Sequence, residues 1–232
     1  MSTLGLTRAI ALEHLRDTSY SMWSLILPPA AYVVAVLFLG NADPARAAAI
    51  LSITLLGTTC TAGCISFPLG LRALEDQGLL RALRLRPLRP GALVASATTA
   101  DTAMCTAACA LVLAAGVVLG APVRAEPLRW VVGSLLAVAM GMALGGAIWS
   151  TAASFLSIKN YGNIALIPYL LGAGAFFRLP GFLDKIGSVL PSYQIHRLYT
   201  TGDLRAAIVP AVWAAALAGF AAVRSRRRRA DA

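Results

Sequence analysis

The chain has 232 residues, of which 58% are hydrophobic and only 13% carry a charge, and its mean hydropathy is +0.73. A soluble domain of this length carries about 25% charged residues, so the composition excludes an ordinary soluble protein and favours one that places its apolar surface in a bilayer. The formal net charge of +10 fits arginines at a membrane face better than nucleic-acid binding, because no folded basic surface lies outside the apolar runs.

Six apolar runs follow one another along the chain, and a helix needs about 20 such residues to cross the hydrocarbon of a bilayer. The first run does not have the pattern of a cleaved signal peptide, since Glu13 and Asp17 precede it and it is longer than a usual signal core. The fifth run is too short to cross comfortably unless it is extended or broken. The predicted spans are approximately 22–40, 47–69, 95–119, 130–155, 163–177 and 204–223.

Short polar turns separate the runs, and no linker divides them. We therefore predict an all-α integral membrane protein in which residues 1–232 form a single transmembrane domain. Lysine and arginine set the orientation of such a chain. A cytoplasmic N-terminus places thirteen basic residues inside and seven outside, so both termini are predicted to be cytoplasmic. The inside set is Arg8, Arg16, Arg72, Arg81, Arg84, Arg86, Arg89, Lys159, Arg224 and 226–229; the outside set is Arg46, Arg124, Arg129, Arg178, Lys185, Arg197 and Arg205.

The segment 178–203 then lies outside, and it mixes charge, glycine, proline and amphipathic stretches. Its passage "LPGFLDKIGSVLP" has apolar residues at helical spacing and a proline near each end. Backbone can dip into a bilayer only where other protein covers it. We expect residues 181–189 and 192–200 to form short re-entrant helices at the outer mouth, and an ordinary extracellular loop is the alternative.

Several kinds of active site are excluded by the residues themselves. Neither of the two lysines, in "SIKN" and "LDKI", follows a glycine, so the chain is not a P-loop ATPase. His14 and His196 lie outside the predicted spans, which disfavours a Ser–His protease buried in the membrane. Asp101 is the only acidic residue well inside a span, so paired carboxylates are missing as well. We expect a protein without enzymatic activity of its own.

The cysteines and glycines inside the spans have simpler interpretations. Cys60 with Cys64 and Cys105 with Cys109 are spaced i,i+4 on neighbouring spans, but their depths diverge and four sulfurs do not close on one metal. Small apolar filling of the interior is the preferred reading over a metal site, and no disulfide framework is indicated. Gly141 and Gly145 form a small-xxx-small pair, which is typical of helix packing.

Asp101 is the candidate intramembrane polar site. A charged aspartate at a helix centre costs about 2.5–3.5 kcal/mol on insertion scales, so it needs a reason to be there. One hypothesis is a proton or substrate site. The other is a structural carboxylate, hydrogen-bonded to the nearby hydroxyls of Thr98, Thr99 and Thr102 and close to the inner interface.

The predicted loop between spans two and three carries the most specific pattern, "LEDQGLLRALRLRPLRPG". It resembles the corresponding loop of bacterial ABC transporter permeases of the type-2 exporter family, in an acidic residue, a following glycine, a Leu/Arg helix and a Pro-Leu step. A second stretch, "ALIPYLLGAGAFFRLPGFLDKIGSVLPSY", is similar to that family's fifth span and its Gly-Ala-Phe-Phe end. The chain departs from the family at Gly172 and Arg178, where a serine or threonine and a proline are frequent. The residues matching the loop pattern are Glu75, Gly78, Leu79, Arg81, Leu83, Pro87 and Leu88.

The resemblance implies a drug- or antibiotic-efflux-like permease subunit in the bacterial inner membrane, with an N-terminal interfacial helix and a cytoplasmic coupling helix. Two permeases, alike or different, would pair above two separate ATPase subunits, which would bind the ATP and Mg²⁺; the chain itself would hold no cofactor. The substrate would be hydrophobic or amphipathic: a drug, an antibiotic, a peptide or a lipid-like molecule. The implied outer gate is Phe176, Phe177 and Pro180, and the implied ATPase-coupling residues are Glu75, Gly78, Leu79, Leu80, Arg81, Leu83 and Pro87.

Two other functions stay open at this point. A proton-coupled secondary transporter would use Asp101 and need no ATPase, and a membrane scaffold or immunity protein would transport nothing. The leucines of the loop helix share one face and its arginines point away from it. The helix therefore fits either docking of a soluble partner or adsorption on anionic lipid, and the resemblance favours docking.

Overall fold

The computed structural model describes residues 3–39, 44–76, 92–173 and 187–230, and within these ranges the chain is helical and has no strand. Three tighter or wider turns interrupt the α-helices: π-helical turns at Met22–Ile26 and Ala62–Ser66, and a 3-10 turn at Leu204–Ala207. The helices are α1 (Thr3–Arg16), α2 (Thr18–Ser21), α3 (Leu27–Leu39), α4 (Pro44–Thr61), α5 (Phe67–Asp76), α6 (Ala92–Val118), α7 (Pro127–Thr151), α8 (Phe155–Gly172), α9 (Pro191–Thr201) and α10 (Ile208–Ala230).

Five helical segments of the described chain are long and apolar enough to cross a membrane: Met22–Leu39, Arg46–Asp76, Ala92–Val118, Pro127–Thr151 and Leu204–Ser225. They correspond to the first, second, third, fourth and sixth predicted spans, and they confirm an all-α integral membrane protein. The second segment reaches 31 residues because α4 and α5 continue through the π-helical turn.

The fifth predicted span, 163–177, differs from the structure in its start. Helix α8 begins at Phe155, so "SIKNYG" is helical rather than a link. Ser154 caps its first turn, accepting a hydrogen bond from the backbone N–H of Ser157 over 3.1 Å. The sequence prediction failed because Lys159 and the asparagines lower the local hydropathy, whereas helix formation depends on the cap and on packing. Residues 174–177 lie outside the described ranges.

The helices alternate in direction, so the bundle has two distinct ends. The basic end carries α1, the end of α5, the start of α6 and the end of α10. The opposite end carries the start of α4, residues 119–126 and α9. Helix α7 lies at the centre and contacts α4, α5, α6, α8, α9 and α10, which explains why Trp130, Ala137 and Val138 are buried.

A contact between glycines joins three of the helices. A side chain on Gly141 or Gly145 would collide with the backbone of Thr59 or Gly63, and one on Gly162 would come within 2.7 Å of the Cys64 carbonyl oxygen. Without side chains the backbones of α7 and α8 approach the π-helical turn directly, which is how helices associate where lipid supplies no hydrophobic drive. The packing role predicted for Gly141 and Gly145 is confirmed. We call Gly63, Gly141, Gly145 and Gly162 the glycine junction.

The short helix predicted at 192–200 is confirmed as α9, which begins at Pro191 and ends at a left-handed Gly202 with φ 72°. It is not an ordinary exposed loop, since Ile195, Leu198 and Tyr199 have no exposed surface. Helix α9 folds back onto α7 and α4 at the opposite end of the bundle. The other short helix, predicted at 181–189, falls mostly outside the described residues.

Candidate functional site: the Asp101 contact and the polar face of α8

Asp101 lies inside a membrane-spanning helix and is almost completely buried. Asp101 is 4% exposed. It lies nine residues after Ala92, the first residue of α6, which is about 13.5 Å along the helix axis. An isolated carboxylate at this depth is expensive, so its neighbours decide whether the site is stable.

The partners of Asp101 come from the N-terminal segment of the chain. The hydroxyl of Tyr20 donates to Asp101 Oδ1 over 2.6 Å, a length typical of a hydrogen bond to a carboxylate. His14 Nδ1 lies 3.5 Å from the same oxygen, and the rings of His14 and Tyr20 stand 4.3 Å apart between centroids. Burial and then the Asp101 carboxylate raise the pKa of Tyr20, so its hydroxyl keeps its proton and remains the donor. We call His14, Tyr20 and Asp101 the N-terminal tether.

The threonines expected to satisfy Asp101 have other partners. Thr98 donates to the backbone carbonyl of Val94 over 2.7 Å, and Thr99 donates to that of Ala95 over 2.8 Å. This is the ordinary back-bonding of threonine within a helix. The predicted role of the Thr98 and Thr99 hydroxyls is therefore wrong, and the hydrogen bond that Asp101 accepts comes from Tyr20.

Helix α1 packs on α6 and is joined to it by the tether. Leu6 and Ile10 are buried against the bundle, and Ser96 donates to the Thr3 carbonyl over 3.2 Å. The other side of the helix exposes apolar residues, with Leu4 80% and Leu15 52% exposed. An N-terminal helix that is apolar toward both protein and lipid fits a position in the membrane interface.

Along α6 beyond Asp101, toward the opposite end, the buried side chains are Met104, Cys105, Ala108, Cys109 and Val112. These residues fill space rather than relay protons. The four cysteines are free thiols, and the sulfurs of Cys60 and Cys64 are 3.5 Å apart. In the described ranges, no three His, Cys, Asp or Glu side chains converge as metal ligands would.

Of the predicted coupling residues, Glu75 alone is described. It lies in the last turn of α5, where Arg72 Nη1 is 3.4 Å from Glu75 Oε2 and Arg72 Nε is 3.2 Å from Asp76 Oδ1. The other implied coupling residues, Gly78, Leu79, Leu80, Arg81, Leu83 and Pro87, lie outside the described residues, and so do the implied gate residues Phe176, Phe177 and Pro180.

One face of α8 combines amides with apolar side chains and is exposed. Asn160 and Asn163 lie on this face with Ile164, Ile167 and Leu171, of which Ile167 is 60% exposed. Gly162 contacts Cys64 beside the glycine junction, so the amides are at membrane depth rather than beyond the end of the bundle. Sequence reasoning missed this face because it treated residues 157–162 as a link. The serine cap at 154 and the i, i+3, i+7 spacing of Ile164, Ile167 and Leu171 were the available signals.

The second histidine is also drawn into the bundle. His196 Nδ1 lies 2.8 Å from Ser52 Oγ, and Ser52 also donates to the carbonyl of Ala49 over 2.8 Å. A carbonyl only accepts, so His196 donates through Nδ1–H when Ser52 makes that bond. Ser52 has no exposed surface, which suits a structural clasp between α4 and α9 and not an attacking nucleophile.

The comparisons with known proteins agree with this architecture. The sequence model of the ABC-2 type transporter family, named for its membrane component, matches residues 3–194. The match includes α1 through the start of α9, and with them the tether, the glycine junction and the exposed face of α8. Searches of the curated proteins and of the solved structures found no match to the chain.

Proposed function

Since the chain belongs to the ABC-2 type transporter family, we propose that it is the membrane permease of an ATP-driven exporter. The observation that carries the proposal is the family match over 3–194 on a bundle of membrane-spanning helices. The chain is thus a transporter's membrane component and not itself the ATPase. Its lysines lack the Gly-Lys context of a phosphate-binding loop, so the energy for transport has to reach it from a separate ATPase subunit.

Pairing of two permeases is supported by the exposed face of α8. An amide facing lipid has no hydrogen-bonding partner, and such a group costs several kcal/mol in hydrocarbon. Asn160 and Asn163 are exposed in the single chain, so a second permease or a water-filled path shared with it is needed to cover them. Two such faces would enclose a route lined by both amides and apolar side chains.

The composition of that face also supports an amphipathic substrate. Ile164, Ile167 and Leu171 offer apolar contact, while the asparagine amides offer donors and acceptors for a polar group. An ion or a sugar phosphate would need charged partners, and Lys159 is the one charged side chain of α8. A drug, antibiotic, peptide or lipid-like molecule is the substrate class that this lining fits.

Disulfide crosslinking tests the pairing. With the four native cysteines replaced, Ile167→Cys should form a crosslinked permease dimer in the membrane. Val212→Cys on α10 is the matched control, since Val212 is 62% and Ile167 60% exposed. Crosslinking at Val212 but not at Ile167 would place the interface on α10 and remove the argument from α8.

We further propose that the segment 75–87 receives the motion of the ATPase. Glu75 already lies at the ion-paired end of α5, where the second span leaves the membrane. Leu79 and Leu83 would be the anchors, because burying a leucine contributes about 1.5–3 kcal/mol and an exposed rim charge about 0–1 kcal/mol.

A pull-down in detergent tests this coupling. Leu79→Asp with Leu83→Asp should release the ATPase while the permease still inserts and pairs, and Arg84→Ala should change binding little. Adsorption of the segment on lipid predicts the reverse order. Retention of the ATPase by the double leucine variant would end the coupling proposal.

The proton-coupled alternative is tested at Asp101. The hydrogen bond from Tyr20 and the apolar residues beyond Asp101 favour a structural carboxylate. Asp101→Asn should therefore preserve ATP-driven transport in vesicles, because the amide oxygen still accepts from Tyr20. Transport that needs a proton gradient, not ATP, and disappears in this variant would replace the exporter proposal.

We further propose a bacterial inner-membrane location, as the family resemblance implies, with both termini in the cytoplasm, an orientation that the excess of basic residues on that side supports. Single cysteines at Ala125, which is exposed, and at Ala230, again without the native cysteines, should then label from opposite sides of the membrane. Equal labelling of both by a membrane-impermeant reagent in intact cells would contradict this topology.

A further inference from the structure

A groove of about 630 Å³ runs along the basic half of the bundle, on the surface that faces the membrane. Helices α5, α6, α7 and α10 line it with apolar side chains, and its polar lining residues are Thr98 and Ser225. Thr98 donates to its own helix. The groove is open on one side, where Ala95, Ala139 and Ala218 are exposed.

The groove has the length of one acyl chain in one leaflet. It extends from Ala139 to Trp149 along α7 and from Ala214 to Ser225 along α10, which correspond to about 15 and 16.5 Å at the helical rise. Half of the hydrocarbon thickness of a bilayer is also about 15 Å. An extended chain lying parallel to α7 and α10 therefore fills the groove from the membrane centre to the basic interface.

An acyl chain gains little hydrophobic free energy on moving from lipid into an apolar groove, because both surroundings exclude water. Selective occupation of the groove must therefore come from the headgroup. Helix α10 carries Arg224, which is exposed and directly precedes Ser225 of the lining at the basic end of the groove. Arg72, at the end of α5, already pairs with Glu75 and Asp76. The cationic contribution at the mouth thus comes from α10.

From this geometry we propose that the groove binds one anionic phospholipid of the leaflet at the basic end, with an acyl chain lying along α7 between α6 and α10 and its phosphate beside Arg224. The site is distinct from the exposed face of α8 and goes beyond the proposed transport function. Arginine at a membrane surface attracts anionic lipid, and the alanines of α10 leave the space for the chain. The bound lipid joins the end of the sixth span to the start of the third, which line opposite sides of the groove.

Quenching of Trp149 fluorescence measures occupation directly, since Trp149 lines the groove. The full-length permease is placed in phosphatidylcholine vesicles with a small fixed fraction of lipid brominated near the headgroup end of its chains. The brominated lipid is either phosphatidylglycerol or phosphatidylcholine. The quenching lost in Trp149→Phe is assigned to the groove, which removes the background from the other tryptophans.

Brominated phosphatidylglycerol should quench Trp149 with a preference of about five-fold or more over phosphatidylcholine, the effect of one arginine near a lipid headgroup. Ala218→Phe should fill the groove and abolish the preference. Ala216→Phe is the matched control, because Ala216 is exposed on the same helix outside the lining. Arg224→Gln should lower the preference toward unity and leave the weak quenching by phosphatidylcholine.

Three results would overturn the proposal. Equal quenching by the two lipids would show that bulk lipid fills the groove without selection. An unchanged preference in Ala218→Phe would place the anionic lipid elsewhere. Absence of Trp149 quenching by either lipid would mean that protein covers the groove, as a second permease packed on α10 would do.

Discussion

The two ends of the bundle are held together by different kinds of contact. At the opposite end, Tyr199 of α9 is fully buried and stacks on Trp130 at a centroid distance of 5.0 Å, against the bare backbone of Gly133. At the basic end, α1 is joined to α6 by Leu6, Ile10 and the N-terminal tether, and a groove stays open beside α10.

This difference indicates where the molecule can change shape. Interlocked aromatic side chains have one low-energy arrangement, and small displacements of them lose contact on many sides. Helix α1 is held by two buried side chains, the hydrogen bonds of Tyr20 and Ser96 and the contact of His14, without interlocked aromatic rings, so it can shift at lower cost. The basic end is the side from which the proposed ATPase would act, so the more compliant contacts lie beside the source of motion.

The largest expected effect is at the opposite end. Tyr199→Ala should lower the free energy of unfolding by about 4 kcal/mol, since it removes a fully buried aromatic side chain. Thermal unfolding in detergent measures the loss. Tyr199→Phe is the control, because it keeps the ring and removes only the hydroxyl 3.3 Å from Ser134. If Tyr199→Ala unfolds at the wild-type temperature, the opposite end is not the rigid one.

A smaller and more local effect is expected at the basic end. Tyr20→Phe leaves Asp101 without its hydroxyl donor, which should cost about 1–3 kcal/mol. The change should appear as faster tryptic cleavage at Arg16, because α1 detaches before the bundle unfolds. Tyr32→Phe is the matched control, since Tyr32 is fully buried and its hydroxyl has no hydrogen-bond partner.

Equal cleavage rates for Tyr20→Phe and wild type would show that the tether does not hold α1. A collapse of the whole bundle in that variant would make the two ends equally rigid and contradict the comparison.

The pH dependence of stability sharpens the comparison further. Burial lowers the pKa of His196 below its ordinary value, so the folded protein binds this proton less readily than the unfolded chain. Stability is then intact above the unfolded pKa of about 6.5 and falls as the pH drops below it, by about 1.4 kcal/mol per pH unit at most.

Unfolding temperatures at pH 7.5 and pH 5.5 test this, with His196→Gln as the variant that lacks the titration. The wild type should lose more stability on acidification than the variant. An equal loss in both proteins would assign the acid sensitivity to other groups.

The smallest effect is expected for an exposed ion pair at the opposite end. Arg197 Nη2 lies 3.2 Å from Asp203 Oδ2, and the arginine side chain is 48% exposed. Arg197→Gln should change the free energy of unfolding by about 0.5 kcal/mol or less. A change as large as that of Tyr20→Phe, measured in the same unfolding experiment, would show that charge rather than aromatic packing holds this end.

The sequence was sufficient for features that repeat or lie close along the chain. The lengths of the apolar runs located five of the spans. The spacing of Gly141 and Gly145 predicted close helix packing, and the proline before residue 192 marked the start of α9. It was insufficient for contacts between distant residues. Tyr20 and Asp101 are 81 positions apart, and no local pattern brings them together. Threonines one to three positions away were the nearer candidates, but a hydroxyl in a helix often bonds to its own backbone instead.

The start of α8 shows a second reason for failure. Hydropathy measures whether a segment prefers lipid to water, and residues 157–162 do not. The packing of Gly162 on Cys64 and the cap at Ser154 make the segment helical regardless. The asparagine amides that define the candidate site on α8 also lower the hydropathy of the segment, and for this reason the sequence did not predict the helix there.

The glycine junction has a mechanical consequence. Helices that touch backbone to backbone cannot part at that point without losing their closest contacts, but they can turn about it, because no side chain interlocks across it. The junction then acts as a fulcrum. A rotation of about 10° around it displaces a helix end about 15 Å away by roughly 2.6 Å, a distance on the scale of known interface shifts. A methyl side chain at Gly145 would collide with the backbone of Gly63 and prevent the helices from rotating about this contact.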